Sequence, residues 1–181
     1  MSIPWELDAT EFANEDDAQY QGGDLLAAGT YHVVVDGVED EFENFERVNV
    51  TFKALAGTTP GEEGKTRKAF FDFREDPASR DPLWRCNRSK LQLTQLWMSL
   101  GLLKAGSTCD CDPASAVGLE CVVAFIESKK NDKSGHPFVN FERSFALNNP
   151  EVASVPRGSG ESVPAVLAPA AATDATGFDD L

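Results

Sequence analysis

Arg47-Val48-Asn49-Val50-Thr51-Phe52-Lys53 is the stretch on which the fold turns. Val48, Val50 and Phe52 alternate with Arg47, Asn49, Thr51 and Lys53, so an extended chain carries one apolar face and one polar, weakly basic face. This is the pattern of a half-buried antiparallel strand. Upstream, Gly29 opens a run in which Tyr31, Val33 and Val35 alternate with His32, Val34 and Asp36, a first strand, and Gly37 to Glu46 reads as an acidic loop between the two. Downstream, Gly57 to Gly64 has turn chemistry centred on Pro60-Gly61. It leads into Lys65 to Phe73, where bases and aromatics mix with β-formers in a third strand, the hairpin partner of the second.

The period then changes. Leu93, Leu96, Trp97, Leu100 and Leu103 recur at spacings of three and four, one stripe of an amphipathic helix. Asp81-Pro82, Asn87 or Ser89 could start it, and Gly101 or Gly106 could end it. Glu120 to Glu127 and Phe138 to Phe145 are again β-patterned, joined by the basic connector 128–137. The expected fold is all-β with one helix, in the order β-β-β-α-β-β, an OB-fold-like five-stranded barrel. A ferredoxin-like arrangement would need a second helix between early strands, and no helical period precedes residue 82.

The organisation expected from composition is an acidic, flexible leader over 1–28, a folded domain over 29–148, and a disordered Pro- and Ala-rich tail over 149–181 that ends in Gly177-Phe178-Asp179-Asp180-Leu181. The 181 residues carry a formal charge of -14, which argues against nucleic-acid binding by the average surface. The average hides a segregation. Residues 1–28 hold seven acids and no Lys or Arg, whereas Lys65 to Lys104 hold nine bases against four acids, an asymmetry that points to a local phosphate-contacting patch beside an acidic arm. With no run of about 18 apolar residues and no signal-like N-terminus, a cytoplasmic protein is expected. Cys86, Cys109, Cys111 and Cys121 then read as reduced thiols.

Leu25-Leu26-Ala27-Ala28-Gly29-Thr30-Tyr31, Val48 to Phe52, Gly64-Lys65-Thr66-Arg67 running into Phe70-Phe71-Asp72-Phe73, and a helix ending near Leu100-Gly101 together resemble a family of phage and prophage proteins from replication and recombination modules. The resemblance spans about residues 20 to 146 and implies an OB-fold that binds single-stranded DNA. The last residues are similar to the acidic tip of bacterial and phage single-stranded DNA-binding proteins, which implies replication or recombination proteins as partners of Phe178, Asp179, Asp180 and Leu181. Here Phe178 precedes the acids and Leu181 is terminal, whereas the bacterial tip ends in Pro-Phe.

Single-strand binding needs cations that follow the phosphates and π-faces on which bases lie. The candidates are Arg47, Asn49 and Lys53 on the second strand, Arg67, Lys68 and Phe70 on the third, Trp84, Arg85 and Arg88 before the helix, and Lys129, Lys130 and Lys133 as a clamp in the last hairpin loop. Phe71 and Phe73 read as core or as shared between faces, and Trp84 serves equally well as a lid on the barrel. For each base the plain alternative is a solvated charge. No cofactor is implied: a single Cys-x-Cys at Cys109 and Cys111 is poor zinc geometry. Gly64-Lys65-Thr66 lacks the glycine and the following helix of a phosphate loop, and neither His32 nor His136 has a catalytic motif beside it. The reading is a non-enzymatic binder of single-stranded DNA, with an acidic protein-protein adaptor and a metal-dependent nuclease as rivals.

Overall fold

A computed structural model describes residues 25–110, 112–131, 135 and 137–159. The strand expected around Val48–Phe52 is Arg47–Gly57 (β2), flanked in sequence by Gly29–Asp40 (β1) and Thr66–Asp72 (β3). The helix is Trp84–Ser99 (α2), and Glu120–Asn131 (β4) and Pro137–Phe145 (β5) complete the set. All pairings are antiparallel, in the order β3-β2-β1-β4-β5. The described residues are mostly sheet, with one long helix between the third and fourth strands. The sheet is open: among the described residues no ladder joins its edges β3 and β5. Two register irregularities in the β1–β2 pairing, at His32/Val33 and Val35/Gly37, bend β1.

Alternation sorts the strands as the sequence requires. Val33, Val35, Val48, Val50, Phe52, Ala69 and Phe71 face one core with Leu96 and Trp97 of α2. Phe52 stacks on Phe141 at 5.9 Å, and the edge of Phe71 meets Phe141 at 5.5 Å. Cys121 is wholly buried in this core, where burial pushes its thiol up to about 12.

Helix α2 takes the place of a β3–β5 ladder. The Ser89 hydroxyl donates to the Asp72 carbonyl of β3 at 2.7 Å, and the Gln92 amide donates to the Phe141 and Glu142 carbonyls of β5. Ser99 donates to the Ser144 hydroxyl at 3.0 Å. Polar side chains thus satisfy strand-edge groups that would otherwise need a neighbouring strand. Asp81 accepts the Leu83 N–H just before the helix, and Gly101, at φ 77°, ends it. There the Leu102 N–H reaches the Trp97 carbonyl and the Gly101 N–H the Met98 carbonyl, which is a Schellman closure.

Three expected boundaries move. The acidic loop 37–46 is largely structured, since β1 runs to Asp40 and a single helical turn, Phe42–Phe45 (α1), follows. One turn is too short to leave a period in the sequence. The folded unit also begins before Gly29: Leu26 is fully buried, its N–H donates to the Thr66 carbonyl, and the Ala27 N–H donates to Glu62 at 2.9 Å. At the other end it continues past residue 148. Asn149 caps the 3₁₀ turn Pro150–Val152, and Val152 and Val155 bury against Val122, Ala124 and Phe145 on the outer face of β4 and β5. The Gly158 N–H then donates to Nδ1 of buried His32, whose Nε2 lies 3.0 Å from Glu120. Two valines three residues apart suffice for this strap, and the Pro- and Ala-rich composition hid them.

Among the described residues no helix is long and apolar enough to cross a membrane.

Candidate nucleic-acid interface

Register fixes what the outer face of β2 and β3 presents. Asn49 sits opposite Glu39 of β1 and opposite Phe70 of β3, so these three form one rung across the sheet. Thr51 is opposite Lys68 in the next rung. Between Ala69 and Phe71, both turned into the core, Phe70 must point outward, and it is 61 % exposed. The Arg47 guanidinium lies 4.8 Å from the Phe45 ring of α1 and 5.9 Å from the Phe70 ring, a cation between two exposed aromatic faces. Lys53 is exposed farther along the same face.

This face turns over the β3 edge into a cleft of about 600 Å³ between β3, the start of α2 and β5. Arg67, Lys68, Phe70, Trp84, Arg85 and Arg88 all line it, joined across the gap by Phe138. Trp84 is fixed there, its Nε1–H donating to Asp76 at 3.2 Å and one ring face lying 5.2 Å below the Arg85 guanidinium. Phe138 is 51 % exposed. Three exposed aromatic rings and four cations therefore share one concave surface, which is what unstacked bases and their phosphates require.

Acids moderate the positive charge. Lys68 pairs with both oxygens of Glu39 at 2.8 Å, Arg47 pairs with Glu41, and Arg85 lies 3.3 Å from Asp76. The Lys68 ammonium and the Asn49 amide hold the Glu39 carboxyl below the usual carboxylate range; Arg47 does the same for Glu41, helped by Asn49. Arg67 donates to the Leu26 carbonyl. Asp72, also on the cleft, is held low by Arg74, which grips it through both the side chain and the backbone N–H.

Nine of the expected residues thus fall on the β2–β3 face or in the cleft, and eight of them reach its surface. The exception is Asn49, only 2 % exposed, so its side chain cannot touch a strand in this arrangement. Alternation gave its face correctly, but its amide is drawn under Glu39 and Glu41, donating to them at 3.2 and 3.0 Å. Lys129 and Lys130 are exposed, but they belong to the end of β4 rather than to a loop, and neither lines the cleft. Lys133 and the tip residues Phe178, Asp179, Asp180 and Leu181 lie outside the described residues.

Sequence reasoning missed Phe45, Phe138, Glu39 and Glu41. A signal existed for Phe138, because Val139 and Phe141 turn inward and alternation puts Phe138 on the opposite side. For Phe45 and the two glutamates there was none, since Glu39 meets Asn49 only through the β1–β2 register and Glu41 and Phe45 meet Arg47 only through the turn between those strands. No protein-family model matches the chain, and no curated protein matches it.

Proposed function

We propose that the chain binds single-stranded DNA with little sequence preference, as an OB-fold-like open barrel whose β2–β3 face and β3–α2–β5 cleft form the track. The observation that carries the reading is the row of exposed rings, Phe45, Phe70, Trp84 and Phe138, each beside a cation or across the cleft from one, on a molecule of charge -14. Stacking and phosphate neutralisation read no base edges, so such a track coats rather than discriminates. The strand order β3-β2-β1-β4-β5 and the helix across the gap support the barrel assignment. Protection of exposed strands in phage replication or recombination is the matching role, with the terminal Phe178-Asp179-Asp180-Leu181 recruiting replication proteins and occupying the basic track when DNA is absent.

One observation favours the adaptor reading. Leu91 is 72 % exposed and Met98, two turns along α2, is 41 % exposed, two apolar side chains left open on the helix. Titration of a fluorescent oligothymidylate at several salt concentrations separates the two. A single-strand binder gives an anisotropy rise that weakens with salt and a loss of Trp84 emission. An adaptor gives neither, and a nuclease shortens the oligonucleotide when a divalent metal is added.

A further inference from the structure

Two cations of the outer face, Lys68 and Arg47, are already engaged by acids. Lys68 holds Glu39 through two contacts of 2.8 Å, and Arg47 holds Glu41. Both carboxylates are fixed from below by one residue, since Asn49 gives its two amide hydrogens to Glu39 and Glu41 while its Oδ1 is buried with no partner among the described residues. A buried amide left half satisfied is a poor device for stability. It is a good one for holding two acids side by side against their mutual repulsion.

We infer that Glu39 and Glu41, oriented by Asn49, are positioning residues that compete with phosphate for Lys68 and Arg47 and so set how tightly and how salt-dependently the protein binds a strand. The inference rests on the single-strand reading above. A phosphate that meets Lys68 still paired with Glu39 meets no net charge and releases no counterion from the DNA. Stacking on Phe45 and Phe70 does not draw on these charges. The acids therefore shift the source of affinity from charge towards the rings, which favours unstacked bases over simple polyanions.

Lys68 is about one-third exposed and Glu39 about half exposed, so removing the pair leaves the fold intact. The test uses Glu39→Gln, Glu41→Gln and the double variant in the full chain; glutamine keeps an oxygen for the Asn49 amide. The readout is the dissociation constant of labelled oligothymidylate across a salt series, with the melting temperature as a folding control. Each single variant should bind more tightly, and its log–log salt slope should steepen by about 0.7, the double variant by about 1.4. Lys68→Ala should barely change the slope in the wild type and should reduce it by about 0.7 in the Glu39→Gln background. Wild-type binding with slopes unmoved in all the glutamine variants would overturn the competition alone. No wild-type binding at any salt would overturn the single-strand reading and this inference with it.

Discussion

Phe70 and Phe71 are neighbours on one strand with opposite duties, and replacing each by alanine tests the track against the core. Phe70 is 61 % exposed, and the Arg47 guanidinium is 5.9 Å from its ring. Its loss removes one base platform, about 1–3 kcal/mol of binding. At about 1.4 kcal/mol per tenfold, that is roughly 5- to 150-fold in the dissociation constant. Stability should hardly move, since surface substitutions stay within about 0.5 kcal/mol. Phe71 is 1 % exposed and meets Phe141 edge-on at 5.5 Å. Phe71→Ala should cost about 3–5 kcal/mol of stability through transfer and cavity terms, a fall in melting temperature on the order of 10–20 °C for a domain of this size. Anisotropy titration with oligothymidylate, paired with thermal denaturation followed by circular dichroism, reads both quantities on each variant. If Phe70→Ala binds within twofold of the wild type, or loses as much stability as Phe71→Ala, the division of β3 into a binding face and a core face is wrong.

Lys53 and Arg88 have no acidic partner among the described residues, so alanine at either should flatten the salt slope of oligonucleotide binding by about 0.7. Gly158 lies against β2: a Cβ there would come 2.3 Å from the Leu55 carbonyl oxygen, which is backbone and cannot swing aside. Gly158→Ala should therefore break its bond to His32 and loosen Val152 and Val155, lowering stability by about 1–3 kcal/mol and speeding protease cleavage near residue 155; an unchanged melting temperature would count against the strap. Burial pushes the Cys121 thiol up to about 12 from an ordinary 9.0. Its contribution is complete below pH 9 and declines as pH rises from 9 towards 12, at up to about 1.4 kcal/mol per pH unit, so urea unfolding of Cys121→Ala should show a shallower alkaline decline than the wild type. Burial pushes the Glu62 carboxyl up, but the Lys65 ammonium and the Ala27 N–H outweigh it and hold it below its ordinary 4.5. That support is present above pH 4.5 and is lost as pH falls through the lowered value, so acid unfolding of Glu62→Gln should show less dependence on pH below 4.5 than the wild type.

What could be read in advance, and what could not, divides along one physical line. Alternation is local: each residue of Val48–Lys53 or Ala69–Phe71 carries enough information to choose its face, and the core list from β1, β2 and β3 follows directly. The α2 stripe is local in the same sense, and so is its stop at Gly101, whose positive φ suits a residue without a side chain. The pairing of Lys68 is not local. Lys68 and Glu39 are 29 residues apart and meet only because β1, β2 and β3 lie side by side in register. A count of nine bases from Lys65 to Lys104 could not reveal that Lys68 and Arg85 each hold an acid. Composition identified where cations are dense, and the fold decided which of them are open.

The same distinction bears on how a chain of charge -14 would bind an acid in the way proposed above. If affinity came from charge alone, the carboxylates of Glu39, Glu41 and Asp76 beside the track would be a defect, because each cancels a cation that phosphate needs. They cease to be one if the rings supply most of the free energy. Phe45, Phe70, Trp84 and Phe138 at about 1–3 kcal/mol each offer a binding term that neither salt nor the protein's own acids can screen. Arg47 and Arg85 each combine an acidic partner with a place over an aromatic face, so in the proposed binding mode the surface offered to a base would be ordered before the base arrives.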